Sequence, residues 1–339
     1  VKKTPPLQIA FLDVGHGDTI VISFIEDGIK KGIIIDCNDP IKTKNYIIKN
    51  NIQVIDYILI THLHLDHYRG VNSLIDILRK NEIEVNTICW EKDRYLREDE
   101  SEKKNYRTFT AMLEENHINN GIGYMSKRFD SNNYKSLESG NIKDLSINIV
   151  YPNSFVANYF DDKNVNNTST VVKIDFKDFR IVLPGDLEGE GWYMLEQYLP
   201  DLNSDILKSP HHGGSFESGD KSLSVEEVID LVNPKYMVIS TGQNDKYRHP
   251  SKKTIEYSTC KNIKVLCTQA TSLCDINRLE KKEYIISKLK NGNKGSKNSC
   301  PCVGDIVFEL DEDIKIISPE VSAINDIKSK LTNRLCLNL

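Results

Sequence analysis

Between Thr61 and Gly70 the chain reads THLHLDHYRG, which places three of its eight histidines and one aspartate, His62, His64, Asp66 and His67, inside six positions. Neutral imidazole nitrogen and carboxylate oxygen suit zinc, manganese or iron, and a site with no thiolate leaves manganese as plausible as zinc. Neither packing nor helix capping gives a reason to bunch four such side chains. His62 and His64 lie two apart in an extended loop while Asp66 and His67 follow at its turn, so the cluster offers ligands to two adjacent ions without completing either shell. The missing ligands are expected at the ends of other β-runs: Asp186 in LPGDLE, and His211 or His212 in KSPHHGG. Of that pair, His211 is favoured because it is nearer the strand.

These residues need elements that end together. VIDYILI, directly before the cluster, is a continuous apolar run bounded by polar residues, as in a strand buried on both faces. In RGVNSLIDILRK, Val71, Leu74, Ile75 and Leu78 follow helical spacing, which puts the cluster in a strand-to-helix loop. Upstream, LQIAFLDV, TIVISFI and GIIIDC are separated by glycine-containing turns and read as an antiparallel meander, with a short helix in IKTKNYIIKNN. Downstream, LSINIVYP, TSTVVKIDF, FRIVLPGD, DILKSPHH and KYMVIST repeat the strand-rich style, with a helix over Val225 to Leu231. Residues 91–140 are highly polar and are expected to form an insertion at the rim of the core, placed to act as a lid. KLKNGNKGSKNSC reads as an exposed loop, and DIVFEL is the last strand, pairing with DIKIIS. The expected organisation is a domain over 1–260 with its insertion at about 91–140, followed by a Cys-containing extension over 261–339.

A chain of 339 residues accommodates one large layered α/β core with elaborations. Its 39% hydrophobic and 27% charged residues are ordinary for a globular protein and exclude wholesale disorder. No stretch approaches the roughly 18 apolar residues of a membrane span, so no membrane association is expected and the expected location is cytoplasmic. The formal charge of −5 disfavours a DNA-coating protein, so any nucleic-acid contact has to come from a local basic surface or bound metal. In a reducing compartment the eight cysteines are not read as disulfides by default.

THLHLDHYRG resembles the signature of the metallo-β-lactamase fold superfamily. FLDVGHGDTIVI, LPGDLE, LKSPHHGG and ISTGQNDKYRHPS resemble, in that order, the motifs of the hydrolase domain attached to the DNA-uptake channel protein ComEC and of its soluble stand-alone relatives. The similarity covers about residues 7 to 255. It implies an αββα sandwich with a metal centre on its edge, His62 and His64 on a first ion, Asp66 and His67 on a second, Asp186 bridging and His211 completing the second site. Asp13 matches an aspartate that orders the site through hydrogen bonds to the ligands. Many members supply a further histidine before the bridging aspartate. Here the candidate for it, His117, lies in the polar stretch, and VNNTSTVVKIDF offers Asn167, Thr168 or water instead.

Two divalent ions about 3.5–4 Å apart would activate water and neutralise phosphodiester oxygens during in-line attack. Asp66 or Asp186 would orient or receive the water proton, and His249 in KYRHPS is the candidate for assisting the leaving oxygen. Lys246, Arg248 and Lys252 are candidate phosphate contacts, and Arg69 and Lys208 could add positive charge. His16 and His212 are read as contacts to ligands or substrate, and Asp18 as a hydrogen-bond acceptor ordering its loop. Cys267 with Cys274 and Cys300 with Cys302 supply four thiols, read either as ordinary buried thiols or as ligands of a structural zinc, with disulfide or redox chemistry the third reading; neither spacing is the short pair of common zinc ribbons. The expected function is metal-dependent phosphodiester hydrolysis, as a nuclease acting on DNA, with two zinc or manganese ions. The alternatives are a cyclic-nucleotide phosphodiesterase, and a non-hydrolytic metal-bound subunit that meets a protein partner through the 91–140 stretch or the C-terminal extension. A β-lactam substrate is disfavoured.

Overall fold

The computed structural model describes residues 4–92, 99–130, 134–137, 142–160, 163–242, 248–274 and 302–318. Alternation along the first strands sets the layering. In β1 (Leu7–Phe11), β2 (Ile20–Glu26) and β3 (Ile29–Ile35), which pair antiparallel as expected, Leu7, Ile9, Phe11, Ile20, Ile22, Ile33 and Ile35 point into one core. Ala10, Val21 and Ile34, between them in sequence, point into another. A sheet apolar on both faces has to be covered on both faces.

The remaining strands are β4 (Val54–Leu59), β5 (Glu84–Trp90), β6 (Gly123–Ser126), β7 (Lys135–Ser136), β8 (Leu145–Tyr151), β9 (Val171–Phe176), β10 (Phe179–Leu183), β11 (Ile206–Lys208), β12 (Tyr236–Ile239), β13 (Lys264–Cys267), β14 (Ile306–Leu310) and β15 (Ile314–Ser318). Among the described residues they form one sheet of order β15-β14-β1-β2-β3-β4-β5-β6 and a second of order β13-β12-β11-β10-β9-β8-β7. Ile147, Val172, Ile174 and Ile181 of the second sheet meet the first sheet in the central core, while Val171, Val182, Leu207 and Met237 face the other way.

The outer faces are covered by helices α1 (Pro40–Lys49), α2 (Leu65–Tyr68), α3 (Val71–Lys80), α4 (Glu100–Asn120), α5 (Ser154–Phe160), α6 (Gly189–Tyr198), α7 (Val225–Val232) and α8 (Lys252–Cys260). Val71, Leu74, Ile75 and Leu78 of α3 are fully buried against the first sheet with Ile47 of α1 and Phe109 and Leu113 of α4. Each such side chain contributes about 1.5–3 kcal/mol. Trp192, Val228 and Ile255 cover the second sheet. The result is the expected αββα sandwich. No helix of the described residues is long and apolar enough to cross a membrane.

Two boundaries differ from the sequence reading. The described part of 91–140 is no rim insertion: α4 is a crossover helix packed on α3, and β6 extends the first sheet parallel to β5. The few apolar residues of α4 that reach the core, Phe109 and Leu113, are diluted among charged ones, which hid its buried face. The boundary at 260 also falls inside the core, because β13 pairs with β12, and β14 lies between β1 and β15. A pairing such as Ile9 with Phe308 is too distant in sequence to leave a local signal.

Candidate metal centre

The first sheet brings the ends of β3 and β4 to one edge. Beyond β3 the backbone turns at Asp36, in the left-handed region at φ 58°. The carboxylate of Asp36 is fully buried, accepts from the Thr61 N–H (2.8 Å) and the Thr61 hydroxyl (2.7 Å), and accepts from His67 Nδ1 (2.7 Å). It thereby fixes the start of the His/Asp loop and the ring of its last histidine. Thr170 N–H donates to the Thr61 carbonyl (3.0 Å) from the second sheet, and the buried ammonium of Lys127 donates to Thr61 O and Thr168 O, so the loop is pinned from both sheets.

The second sheet contributes the ends of β10 and β11. Asp186 follows Gly185, whose left-handed backbone (φ 56°) passes so near Thr61 that an added Cβ would sit 3.0 Å from the threonine Cβ. After Lys208, the last residue of β11, the chain makes a tight turn in which His211 (φ 45°), His212 (φ 52°) and Gly213 (φ 79°) are all left-handed. This turn aims the histidines in different directions. His212 is 1% exposed, its Nδ1 donates to Ser240 O (3.0 Å), and its Nε2 lies 3.4 Å from Asp66 Oδ2 and 3.3 Å from Asp186 Oδ2. His211 instead pairs with Glu188 Oε1 (2.9 Å) and is 26% exposed. The structure therefore brings His212, and not the favoured His211, to the two carboxylates: nearness to the strand says nothing about which way two successive left-handed residues point.

With Nδ1 of His67 donating to Asp36, its Nε2 carries the lone pair, and this atom lies 3.3 Å from Asp186 Oδ2 and 3.8 Å from Asp66 Oδ2. His212 repeats the arrangement with Ser240 as its outer acceptor. Both Nε2 atoms are buried and make no hydrogen bond. Two lone pairs directed at two carboxylates repel unless protons or a cation lie between them. Burial opposes protonation of both rings, yet Asp186, Asp36 and Asp66 hold His67 well above the ordinary histidine range, and Asp186 and Asp18 raise His212 to about 10. Burial likewise opposes ionisation of Asp66 and Asp186, yet the imidazoles, joined by Lys208 at Asp186, hold both carboxyls well below theirs. Divalent ions in place of those protons satisfy the same atoms, and ligand imidazoles backed by a carboxylate or carbonyl are the usual arrangement around metals. The donor set fits the ions implied by the sequence.

His62 and His64 meet beside this group, His62 Nε2 3.1 Å from His64 Nδ1, with the His62 and His67 ring centroids 4.1 Å apart. His62 Nδ1 is occupied by the Thr61 hydroxyl at 3.1 Å, which leaves Nε2 to face inward. A separation near 3.3 Å is expected of two nitrogens bound at about 2.0–2.1 Å to one tetrahedral ion. Burial, then the charge of His67, pushes both rings below the ordinary histidine range, toward the neutral ligand form.

The other expected residues divide clearly. Asp18 lies under both imidazoles, but its Oδ2 is paired with Lys208 at 2.5 Å and the nearest imidazole nitrogens are the Nδ1 atoms already engaged, so its place is behind the ligands. His16 is at the mouth, its Nε2 3.4 Å from Asp66 Oδ2, and burial with the neighbouring His212 lowers it to about 4. Its ring stacks at 6.4 Å on His249, which also lies 4.9 Å from His211. Asp13 accepts from Gln269 (2.6 Å) at the base of the first loop, with burial raising it to about 6. Asn167 is not placed as a ligand: its Oδ1 accepts from the N–H groups of Glu188 (3.1 Å) and Gly191 (3.3 Å) at the start of α6. The Thr168 hydroxyl donates to Val165 O (2.8 Å), and His117 is bonded to Ile122 O (2.7 Å) at the end of α4, away from the site. Arg69, Arg248 and Lys252 are exposed, with Lys252 paired to Glu256. Lys246 and Cys300 lie outside the described residues. Cys267, Cys274 and Cys302 are buried; among the described residues the groups of three or more donors able to hold an ion are Asp18, His67, Asp186 and His212, and His16, Asp66 and His212.

Sequence reading missed Asp36, Glu188, Gln269 and Lys127. Asp36 was within reach, since it closes the apolar run GIII as Asp186 closes FRIVL, and the same rule of polar residues at buried strand ends finds both.

Residues 16–131 match the family model of the metallo-beta-lactamase superfamily. The ComE operon protein 3 of Bacillus subtilis is 33% identical over 127 residues, 38% of this chain and 15% of that protein. An uncharacterized Escherichia coli protein, YcaI, is 36% identical over 89 residues, 26% of this chain and 11% of that protein. The matched region is thus a small part of either relative. Among solved structures, the metallo-beta-lactamase fold protein YhfI of Bacillus subtilis is 12% identical with a TM-score of 0.43, covering 79% of this chain and 98% of that one.

Proposed function

From a chain that carries a metallo-β-lactamase superfamily domain, we propose a binuclear metal-dependent hydrolase of phosphodiester bonds, with DNA as its substrate. The observation that carries this reading is the convergence of Asp66 Oδ2 and Asp186 Oδ2 on the Nε2 atoms of His67 and His212, beside the inward-facing pair of His62 and His64. His62 and His64 would hold one ion, Asp66, His67 and His212 the other, and Asp186 both. Two such ions supply an activated water and neutralise the charge of a phosphodiester under attack.

The chain's own groups do the rest. Asp36 and Ser240 keep His67 and His212 in the tautomer that presents Nε2. Asp66, whose side chain is 25% exposed, is the more open of the two converging carboxylates and would orient the attacking water by accepting its hydrogen bond. Across the mouth, burial followed by the charges of His211 and His212 pushes His249 down to about 4. At neutral pH it is therefore an uncharged ring that donates an N–H to the leaving oxygen. The exposed Arg248 beside it meets the flanking phosphate. DNA is favoured over a small cyclic nucleotide because the five ordered motifs resemble those of a hydrolase domain attached to a DNA-uptake channel.

Purified protein loaded with manganese or zinc is to be assayed against single-stranded DNA, duplex DNA and cyclic nucleotides. Cleavage of DNA that is abolished in Asp186→Ala and His212→Ala, with the fold retained, is the expected result. Turnover of cyclic nucleotides alone moves the substrate to the smaller class, and no turnover of any at full metal occupancy refutes the hydrolase reading.

A further inference from the structure

Lys208 is fully buried at the end of β11, directly beneath the candidate metal centre. Its ammonium donates to Gly185 O (2.8 Å) and to Asp186 Oδ1 (3.2 Å), and pairs with Asp18 Oδ2 (2.5 Å). A carbonyl and a carboxylate of the loop after β10 and a second carboxylate from the loop between β1 and β2 thus hold it.

The two oxygens of Asp186 have different company. Oδ1 is held by Lys208, whereas Oδ2 lies 3.3 Å from both His67 Nε2 and His212 Nε2. A carboxylate with both oxygens available can chelate one ion, or bridge two ions with one oxygen on each. With Oδ1 bound to a fixed ammonium, neither arrangement is open. We propose that Lys208 is a positioning residue that restricts Asp186 to bridging the two ions through the single oxygen Oδ2, so that both ions share one ligand atom. This rests on the binuclear reading above. Lys208 touches neither substrate nor the ions, and acts through Asp186.

The test is manganese binding, followed by the paramagnetic resonance of free ion during titration, for the wild-type chain, Lys208→Met and Lys208→Met/Asp18→Asn. The double variant removes the carboxylate that loss of the ammonium would leave buried and uncompensated, so it keeps the test open if the single variant does not fold. In the wild type two ions bind. In a folded variant Asp186 is free to chelate, and affinity falls tenfold or more for one ion while the other is held within about threefold. That one-sided loss is what a merely structural role would not produce, since general loosening of the site weakens both ions. Two ions bound at wild-type affinity in a folded variant, or an equal loss for both, overturns the assignment of Lys208. A wild-type chain that binds fewer than two ions overturns the binuclear reading itself.

Discussion

Asp36→Asn is the substitution that most sharply separates metal chemistry from packing at this site. Asparagine tolerates the left-handed backbone of position 36 (φ 58°) and differs from aspartate by a single group, so the turn after β3 is kept. Its amide oxygen can still accept from Thr61 N–H, as Asp36 Oδ1 does at 2.8 Å. Its NH2 group then stands where Oδ2 accepts from His67 Nδ1 at 2.7 Å, and two donors cannot face each other. The ring resolves the conflict by moving its proton to Nε2, the atom 3.3 Å from Asp186 Oδ2, and a protonated Nε2 cannot bind an ion. Loss of such an outer partner costs 10–100-fold in metal affinity, about 1.4–2.7 kcal/mol. Competition of the folded variant with a chromophoric chelator should show this loss confined to the ion held by His67, with DNA cleavage reduced to match at limiting metal. Wild-type affinity for both ions would refute the claim that Asp36 fixes the His67 tautomer.

Further outcomes follow from the same geometry. His212→Ala should lose the second ion, whereas His211→Ala, which removes the pair with Glu188 and the ring beside His249, should keep two ions by elemental analysis; the reverse pattern would restore His211 as the ligand. Metal affinity should fall as pH is lowered through 9 to 6, by roughly one to two decades per pH unit, because ions must displace the protons that surrounding carboxylates hold on His67 and His212. A flat profile in isothermal titration would contradict that. In chelator-treated protein the same raised groups stabilise the fold fully below the unfolded histidine value of 6.5, and that contribution is lost as pH rises toward about 10, so melting should occur at lower temperature at pH 9 than at pH 7. Gly17→Ala places a Cβ 2.4 Å from Asp66 O at φ 122°, and should both lower the melting temperature and weaken metal binding by displacing Asp66.

The parts of this molecule that were legible in sequence are those whose signal is local. Alternation gave the meander of β1 to β3, the spacing of Val71, Leu74, Ile75 and Leu78 gave α3, and THLHLDHYRG marked its candidate ligands by density alone. What stayed hidden depends on distant pairing or on backbone angles. β14 reaches its place beside β1 across nearly the whole chain, so DIVFEL read only as a late strand. The choice between His211 and His212 is made by two consecutive left-handed residues that are neither glycine nor asparagine, and Lys208, which the sequence offers only as added positive charge beside a metal motif, shows its burial and partners once Asp18 and Asp186 close over it. Asn167 shows the opposite trap, since an amide near a metal motif serves the start of α6.

Cleavage of single-stranded DNA by metal-free protein, measured as manganese is added back in known equivalents, addresses the binuclear hydrolase most directly. The expected course is no cleavage without metal and a rate that reaches its plateau only at two ions per chain. A plateau at one ion, or no cleavage with both sites filled, would contradict it.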